Sequence, residues 1–474
     1  MAWRLRWWSQ RRTHGHRVRP GDSFFDDAVF TLFSSTVTVG SCGMIGLTPS
    51  VRDLYLPAEL GDPRLAPPSE AELVDLVNDR LCICEGNSSP ETCTTEARIV
   101  HARYRPSVAS AATYAVRDIH GLEHFVTYKA HLGDRAENRV VGGRYAEKVS
   151  AACAPLRPYA LLPERMASLW VFPADPELRG AVRVLDTERT AAWIEGLGAV
   201  SPWTVRPHGT MVSLKRYEHS RRAIYRVRIG LDGDPGESYG REFGLRILPG
   251  ECAAQSAIWR SQLAGQPLPI PRLVGHDPIN GWILEEWMAG TSADSHDYSV
   301  MDHAMVSAAS LHGAPIASGS HAGTKRRLAP MDLLNGIPGI QRVPDWLWRP
   351  LEVPANGWIH GDLHPDRVLL RGEGAALLGV DGLRPGAPEE DIASWAADAL
   401  AQGGAGEVDE VIEELVGLYR EAGGGEVERE RLRALIAIEL MERAASAIRD
   451  LQADALLRAA RLVSMVTSVR TPGH

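Results

Sequence analysis

At 474 residues the chain exceeds what one compact core accommodates, so two or three domains are expected. Apolar residues make up 44% and charged residues 23%, the proportions of a soluble globular protein. With 51 basic against 60 acidic residues the net charge is −9, which speaks against a nucleic-acid binder, and no run reaches the ~18 apolar residues a membrane span needs.

Residues 1–65 read as an N-terminal arm that need not be ordered. Trp3, Arg4, Arg6, Trp7, Trp8, Arg11 and Arg12 open it, and a weakly apolar stretch from Val29 to Leu47 follows. Asp26 and Asp27 stand where an export signal would be uncharged, so the segment reads as an arm or interaction tail for a protein partner. The cysteines are Cys42, Cys82, Cys84, Cys93, Cys153 and Cys252. Cys82-Ile83-Cys84 with a lone Cys93 lacks the paired spacing of a structural zinc site, so reduced thiols and a cytoplasmic location are expected. The Asn87-Ser88-Ser89 sequon reads as a chance match.

Residues 57–70 are proline-rich and form a linker. Residues 66–190 read as a β-rich cap: alternating runs over 98–104, 112–117 and 124–129 predict an antiparallel meander. The pattern recurs over 211–217, 223–229 and 241–247, with Tyr104 and Tyr114 answering to Tyr217 and Tyr225 within two residues. This suggests an internal repeat, although two independent sheets of similar composition give the same pattern.

Residues 191–287 then read as a β-rich lobe and 288–474 as a helical one. Helices are expected over 300–312, 391–401 and 408–422, and a long final pair over 428–469, the last from apolar positions such as Leu432, Leu435, Ile436 and Leu440. Gly372-Glu373-Gly374 lies between two short apolar runs and reads as a hairpin turn. Strands first and helices after define an α+β, two-lobed layout.

The run Trp358-Ile359-His360-Gly361-Asp362-Leu363-His364-Pro365-Asp366-Arg367 is the most informative in the chain. A second apolar run delivers Asp381, and Asp391 follows. Two aspartates on adjacent loops suit phosphoryl transfer, one orienting an attacking hydroxyl and the other holding Mg²⁺ against nucleotide phosphates. With Leu268-Pro269-Ile270-Pro271, Glu286-Trp287-Met288-Ala289-Gly290 and Ala309-Ser310-Leu311-His312 in that order, the chain from Met211 onward resembles the aminoglycoside phosphotransferase and choline kinase family. The resemblance implies a two-lobed protein-kinase-like fold carrying an additional N-terminal β-rich cap, with ATP and Mg²⁺ as cofactors. It implies Asp362 as the catalytic group, His360 as its loop partner and Asp381 as the metal ligand. It also implies that the backbone from Glu286 through Trp287 to Met288 receives adenine. Asp391 is read as capping the next helix and fixing the metal loop.

The sequence departs from that pattern. Arg367 stands where the family places a second, asparagine metal ligand; arginine cannot coordinate Mg²⁺ but can contact a phosphate. Arg246 stands at the position of the phosphate-binding lysine, and no helix glutamate is evident to pair with it. The phosphate loop, Glu218-His219-Ser220-Arg221-Arg222, has no glycine, and its arginines read as phosphate-attracting or simply as surface residues. The leading expectation is an ATP- and Mg²⁺-dependent phosphotransferase acting on a small-molecule hydroxyl of an amino sugar, sugar or antibiotic-like compound. The alternatives are a catalytically impaired kinase-like binding module and a peptide Ser/Thr kinase in natural-product maturation.

Overall fold

The computed structural model describes residues 27–32, 35–40, 63–83, 93–105, 108–132, 145, 148–232, 240–293, 300–316, 324–326, 334, 351–353, 355–403, 408–451 and 454–468. Within the arm, β1 (Asp27–Leu32) pairs antiparallel with β2 (Ser35–Gly40). The sequon, Cys42 and Cys84 lie outside the described residues.

The cap opens with α1 (Glu70–Arg80). The Ser69 hydroxyl accepts from Glu72 N–H while Glu72 accepts from Ser69 N–H, which satisfies two donors left over at the helix start. β3 (Thr94–Arg105), β4 (Ala109–Asp118) and β5 (Glu123–His131) form the expected meander. β6 (Tyr159–Leu162) and β7 (Ala167–Val171) complete an antiparallel sheet of order β3-β4-β5-β7-β6. Alternation puts Tyr104, Tyr114 and Tyr128 on its inner face, where they pack with Leu73 and Val77 of α1. Cys82 and Cys93, with Cα atoms 5.9 Å apart, form a disulfide, which corrects the reduced-thiol expectation for that pair. Cys153 and Cys252 are free thiols.

α2 (Gly180–Val184) and α3 (Thr187–Gly196) follow. The expected boundary at 190 therefore cuts α3. Both helices cover the outer face of the next sheet, with Ala181, Val184 and Ile194 in one core with Val212, Tyr225, Leu245 and Leu284. β8 (Thr204–Val205) pairs with β11 (Leu231–Asp232) at one margin. The sheet is built from β9 (Met211–Glu218), β10 (Arg222–Ile229), β12 (Arg241–Ile247), β13 (Leu273–Asp277) and β14 (Trp282–Glu286), with α4 (Gly250–Gln262) between β12 and β13. Its order is β9-β10-β12-β14-β13, extended at the β9 edge by β2 in parallel.

The cap sheet and the five strands β9, β10, β12, β13 and β14 of the second sheet therefore both run first, second, third, fifth, fourth. The repeat read from the sequence holds at the level of topology, and Tyr104, Tyr114, Tyr217 and Tyr225 are all buried on corresponding strands.

The helical lobe begins at β15 (Thr291–Ser292), followed by α5 (Met301–His312), the ladder of β16 (Thr324–Arg326) with β17 (Leu351–Val353), and β18 (Gly357–Ile359). β19 (Val368–Arg371) and β20 (Gly374–Leu377) form the expected hairpin, and β21 (Arg384–Gly386) pairs back onto β18. Helices α6 (Pro388–Ala401), α7 (Val408–Glu421), α8 (Arg429–Arg449) and α9 (Ala455–Ser468) complete the chain. The final helix pair expected over 428–469 is present as α8 and α9. Leu451 turns into the left-handed region (φ 52°) and enters the cap's core. The result is the α+β, two-lobed architecture with an added cap. No helix among the described residues is long and apolar enough to cross a membrane.

Candidate active site

The strands of the second sheet alternate between core and cleft. On β10, Ala223, Tyr225 and Val227 enter the core, which turns Arg222, Ile224 and Arg226 towards the cleft. Register pairs Ile224 with Arg246 on β12, and Gly244 with Glu285 on β14. A side chain at Gly244 would sit 3.0 Å from Glu285 Cγ, so glycine leaves room for that carboxylate.

Arg246 is buried (3% exposed) and donates to Asp381 Oδ2. Arg222 donates to the same oxygen at 2.9 Å and to Glu218 Oε1 at 2.6 Å. Glu285 lies 3.6 Å from Arg246 Nη1 and accepts from Arg260 of α4 at 2.7 Å. The missing helix glutamate is thus supplied in reverse: the helix brings an arginine, and the strand before the hinge brings the acid. Arg222, read from sequence as phosphate-attracting or merely superficial, is buried. Glu285 and Arg260 were missed as site residues because their partners are remote in sequence.

Asp362 and Asp381 sit on loops that touch. Gly361 adopts φ 78°, and a side chain there would strike the Gly382 carbonyl. Asp391 holds this arrangement: it accepts from His360 N–H at 2.7 Å and Gly361 N–H at 2.8 Å, while His312 Nε2 lies 3.0 Å away. It does not cap α6 but lies inside its first turn, and the loop it fixes is that of His360 and Gly361 and not that of Asp381. His360 is fully buried, its Nε2 donating to the Leu378 carbonyl at 2.8 Å and its Nδ1 accepting from Asp362 N–H at 3.3 Å. It therefore positions the loop and does not reach a substrate.

Arg367 runs beside Gly379 and donates to Asp362 Oδ2 at 2.6 Å. His364 lies 3.6 Å from the same oxygen and also contacts Asp366. Burial would raise the Asp362 pKa, but His364 and Arg367 hold it well below the ordinary carboxylate range. The His364 value is raised despite burial, through its bonds to Asp362 and Asp366.

Asp381 behaves alike. Burial opposes its charge, yet Arg246 and Arg222 hold it lowered to about 2. Glu218, beside Arg222 and Arg216, and Asp175, beside His219, are likewise lowered to about 2 against burial. Because each folded value lies below the unfolded ~3.9–4.3, their stabilisation is present above that range and lost as pH falls through it towards 2. Urea unfolding should show stability falling steeply between about pH 4 and 2, each group contributing at most ~3 kcal/mol. An unchanged midpoint across that window would contradict these pairings.

Asp175 belongs to the segment after β7 and anchors the glycine-free phosphate loop. It accepts from Tyr217 OH at 3.0 Å and Ser220 N–H at 2.8 Å. Ser220 carries φ 59°, the left-handed conformation for which the loop has no glycine. Asp175→Ala is expected to loosen this loop and to weaken nucleotide binding about tenfold or more, with Asp362 unaffected. Isothermal titration with a non-hydrolysable ATP analogue measures it.

At the hinge, Glu286 N–H already donates to the Arg272 carbonyl at 3.0 Å, and Trp287 lies 5.2 Å under the Arg226 guanidinium. Half-buried Trp287 and Met288 are therefore the expected hinge residues nearest the cleft's polar face.

Among the described residues no group of three His, Cys, Asp or Glu side chains is placed to hold a metal. Asp381 Oδ2 is shared by two guanidiniums, yet the side chain is 28% exposed, and Arg367 replaces a second ligand with a cation. This donor set fits a Mg²⁺ ion that arrives with phosphates and takes one carboxylate, not a cage built by the protein alone.

Asp362 also faces a cavity of about 440 Å³ between the lobes and the cap, within the range of small-molecule sites. Its walls come from β3, the phosphate loop, α6 and α8. A larger recess of about 680 Å³ beside Gly290 and the β19–β20 hairpin contains neither aspartate.

The chain's architecture defines a two-lobed α+β protein with an added cap. No protein-family model and no curated protein matches it. Solved structures similar to it include a choline kinase from Cryptosporidium parvum Iowa II, at 11% identity over 59% of this chain and 95% of that one, with a TM-score of 0.41. A choline/ethanolamine kinase family protein from Mesorhizobium loti matches at 16% identity over 60% and 95%, with a TM-score of 0.36. A thermostable mutant aminoglycoside phosphotransferase in ternary complex with ADP and hygromycin B matches at 14% identity over 61% and 99%, with a TM-score of 0.35.

Proposed function

We propose that this protein is an ATP-dependent phosphotransferase acting on an acceptor hydroxyl. The observation that carries the reading is the position of Asp362, between a guanidinium cluster able to receive phosphates and an open-sided polar cavity able to receive an acceptor. Arg246, Arg222 and Arg367 would hold the phosphate oxygens, and the backbone near Trp287 and Met288 the base. Mg²⁺, bound through Asp381, would neutralise charge on the transferring group.

The bond between the terminal phosphorus and its bridging oxygen breaks as phosphorus bonds to the acceptor oxygen, and the hydroxyl proton is released. A carboxylate held as acidic as Asp362 is a poor base, so its role is to orient the hydroxyl while the proton departs late.

The engagement of both aspartates by guanidiniums also favours a second reading, a nucleotide-binding module without turnover. The discriminating measurement is thermal unfolding with ATP, with and without Mg²⁺, on the wild type and Asp381→Asn, together with ADP release. Nucleotide at 100 times its dissociation constant stabilises by ~2.7 kcal/mol. A Mg²⁺-dependent shift lost in the variant, with ADP release in the wild type, is expected. A shift without any turnover favours the module, and no shift removes both readings.

A further inference from the structure

Asp391 takes the amides of His360 and Gly361 on one side and His312 Nε2 on the other. Burial opposes its charge, but His312 and the His360 amide hold the carboxyl below the ordinary range. A carboxylate has no proton to give, so His312 carries its own on Nε2. Nδ1 of the same ring lies 3.0 Å from the hydroxyl of Tyr419, near the end of α7. The hydroxyl donates and the neutral ring accepts.

Tyr419 packs inside the helical lobe, where a phenylalanine would fill the same space. A buried hydroxyl costs stability unless it is bonded, so packing alone does not account for it. Gly424, in the turn after α7, lies so close to the ring that any side chain there would strike it. Its amide also donates to the Tyr419 carbonyl at 2.9 Å. The turn thus fixes the ring, and the ring fixes the hydroxyl.

The ends of α7 and α5 and the first turn of α6 therefore meet in one file of polar groups. Tyr419 donates to His312 and His312 to Asp391, where the two loop amides arrive from the other side. Bonds in such a file strengthen one another. Asp362 is the next residue along the loop.

We propose that Tyr419 is a positioning residue for phosphoryl transfer: through His312 it fixes Asp391, and through Asp391 the loop that carries Asp362. It lines neither cavity and acts without touching a substrate. Without the hydroxyl, Nδ1 is buried with no donor, and the ring can turn Nε2 away from Asp391. This inference rests on the phosphotransferase reading.

The test is Tyr419→Phe, which keeps the ring and removes only the hydroxyl, read as basal ADP release with ATP, Mg²⁺ and water as acceptor. Turnover is expected to fall about tenfold, with KM for ATP within about twofold of wild type. Amide exchange over residues 358–364, followed by mass spectrometry, should quicken about tenfold. In a His312→Gln background the same substitution should cost no more than about twofold, because its effect passes through that ring. In the wild type, nitrogen-15 shifts of the His312 ring should show Nε2 protonated and Nδ1 bare. Unchanged turnover, unchanged exchange, equal loss of turnover and ATP binding, or a full loss persisting beside His312→Gln overturns the proposal. A ring protonated on Nδ1 overturns it as well, and that measurement needs no variant to fold. Absence of ADP release from the wild type removes the phosphotransferase reading alone; amide exchange and the ring shifts then decide this one.

Discussion

Asp362→Asn is expected to lower turnover by ~10²–10⁴-fold while leaving nucleotide affinity within a few-fold of wild type. The amide keeps the size of the carboxylate and one acceptor oxygen, but it loses the charge that Arg367 and His364 organise. It also offers a donor where the attacking hydroxyl needs an acceptor. Because the pKa of Asp362 is held so low, wild-type activity should show no acid limb from this group above ~pH 4. His364 titrates in the opposite sense. Its raised value means that the charged form supports Asp362 at lower pH and is lost as pH rises through its folded pKa. Steady-state ADP release across pH 5–9 checks both statements. Equal turnover in Asp362→Asn and wild type would place the chemistry elsewhere.

Glu285→Ala is expected to destabilise the protein by ~3–5 kcal/mol, enough to leave a marginal fold partly unfolded. Glu285 is the shared counter-ion of Arg246 and Arg260, and both arginine side chains are almost fully buried. Removing it strands one guanidinium without a carboxylate and leaves the other with Asp381 alone. Arg260 also donates to the Pro271 carbonyl at 2.7 Å, so the disturbance reaches the turn before β13. Urea unfolding gives the free energy. The double change Glu285→Leu with Arg260→Leu should recover much of the loss, since apolar replacement of a buried pair is often near neutral. A single variant within 1 kcal/mol of wild type would mean that water reaches these arginines.

What was legible in the sequence was local. His360, Gly361, Asp362 and Asp381 sit on short loops flanked by buried strands, and their spacing alone brings the two aspartates together. The repeat was legible for the same reason, because period-two alternation ending in a tyrosine shows within a dozen residues. Ionic pairing across the fold was not. Arg222 meets Asp381 at a separation of 159 residues, and nothing near Arg222 distinguishes a buried cation from a surface one. Asp175 serves a loop 45 residues away. The Cys82–Cys93 bond was missed because the spacing, taken alone, matched neither a metal site nor a disulfide framework. The Asp391 side chain was misassigned because an acid at a helix start suggests capping, whereas its partners lie in the preceding loop.

Leu451, at the end of α8, has its side chain in the core of the cap, and α2 and α3 close the outer face of the second sheet. The cap and the two lobes therefore share interior residues and should lose structure together. Unfolding should follow a single cooperative transition, with amide protection in β4 and in α8 rising and falling in step. A chain beginning after residue 190 would bare Val212, Tyr225, Leu245 and Leu284 to water and aggregate, so the two lobes are not a portable module without the cap.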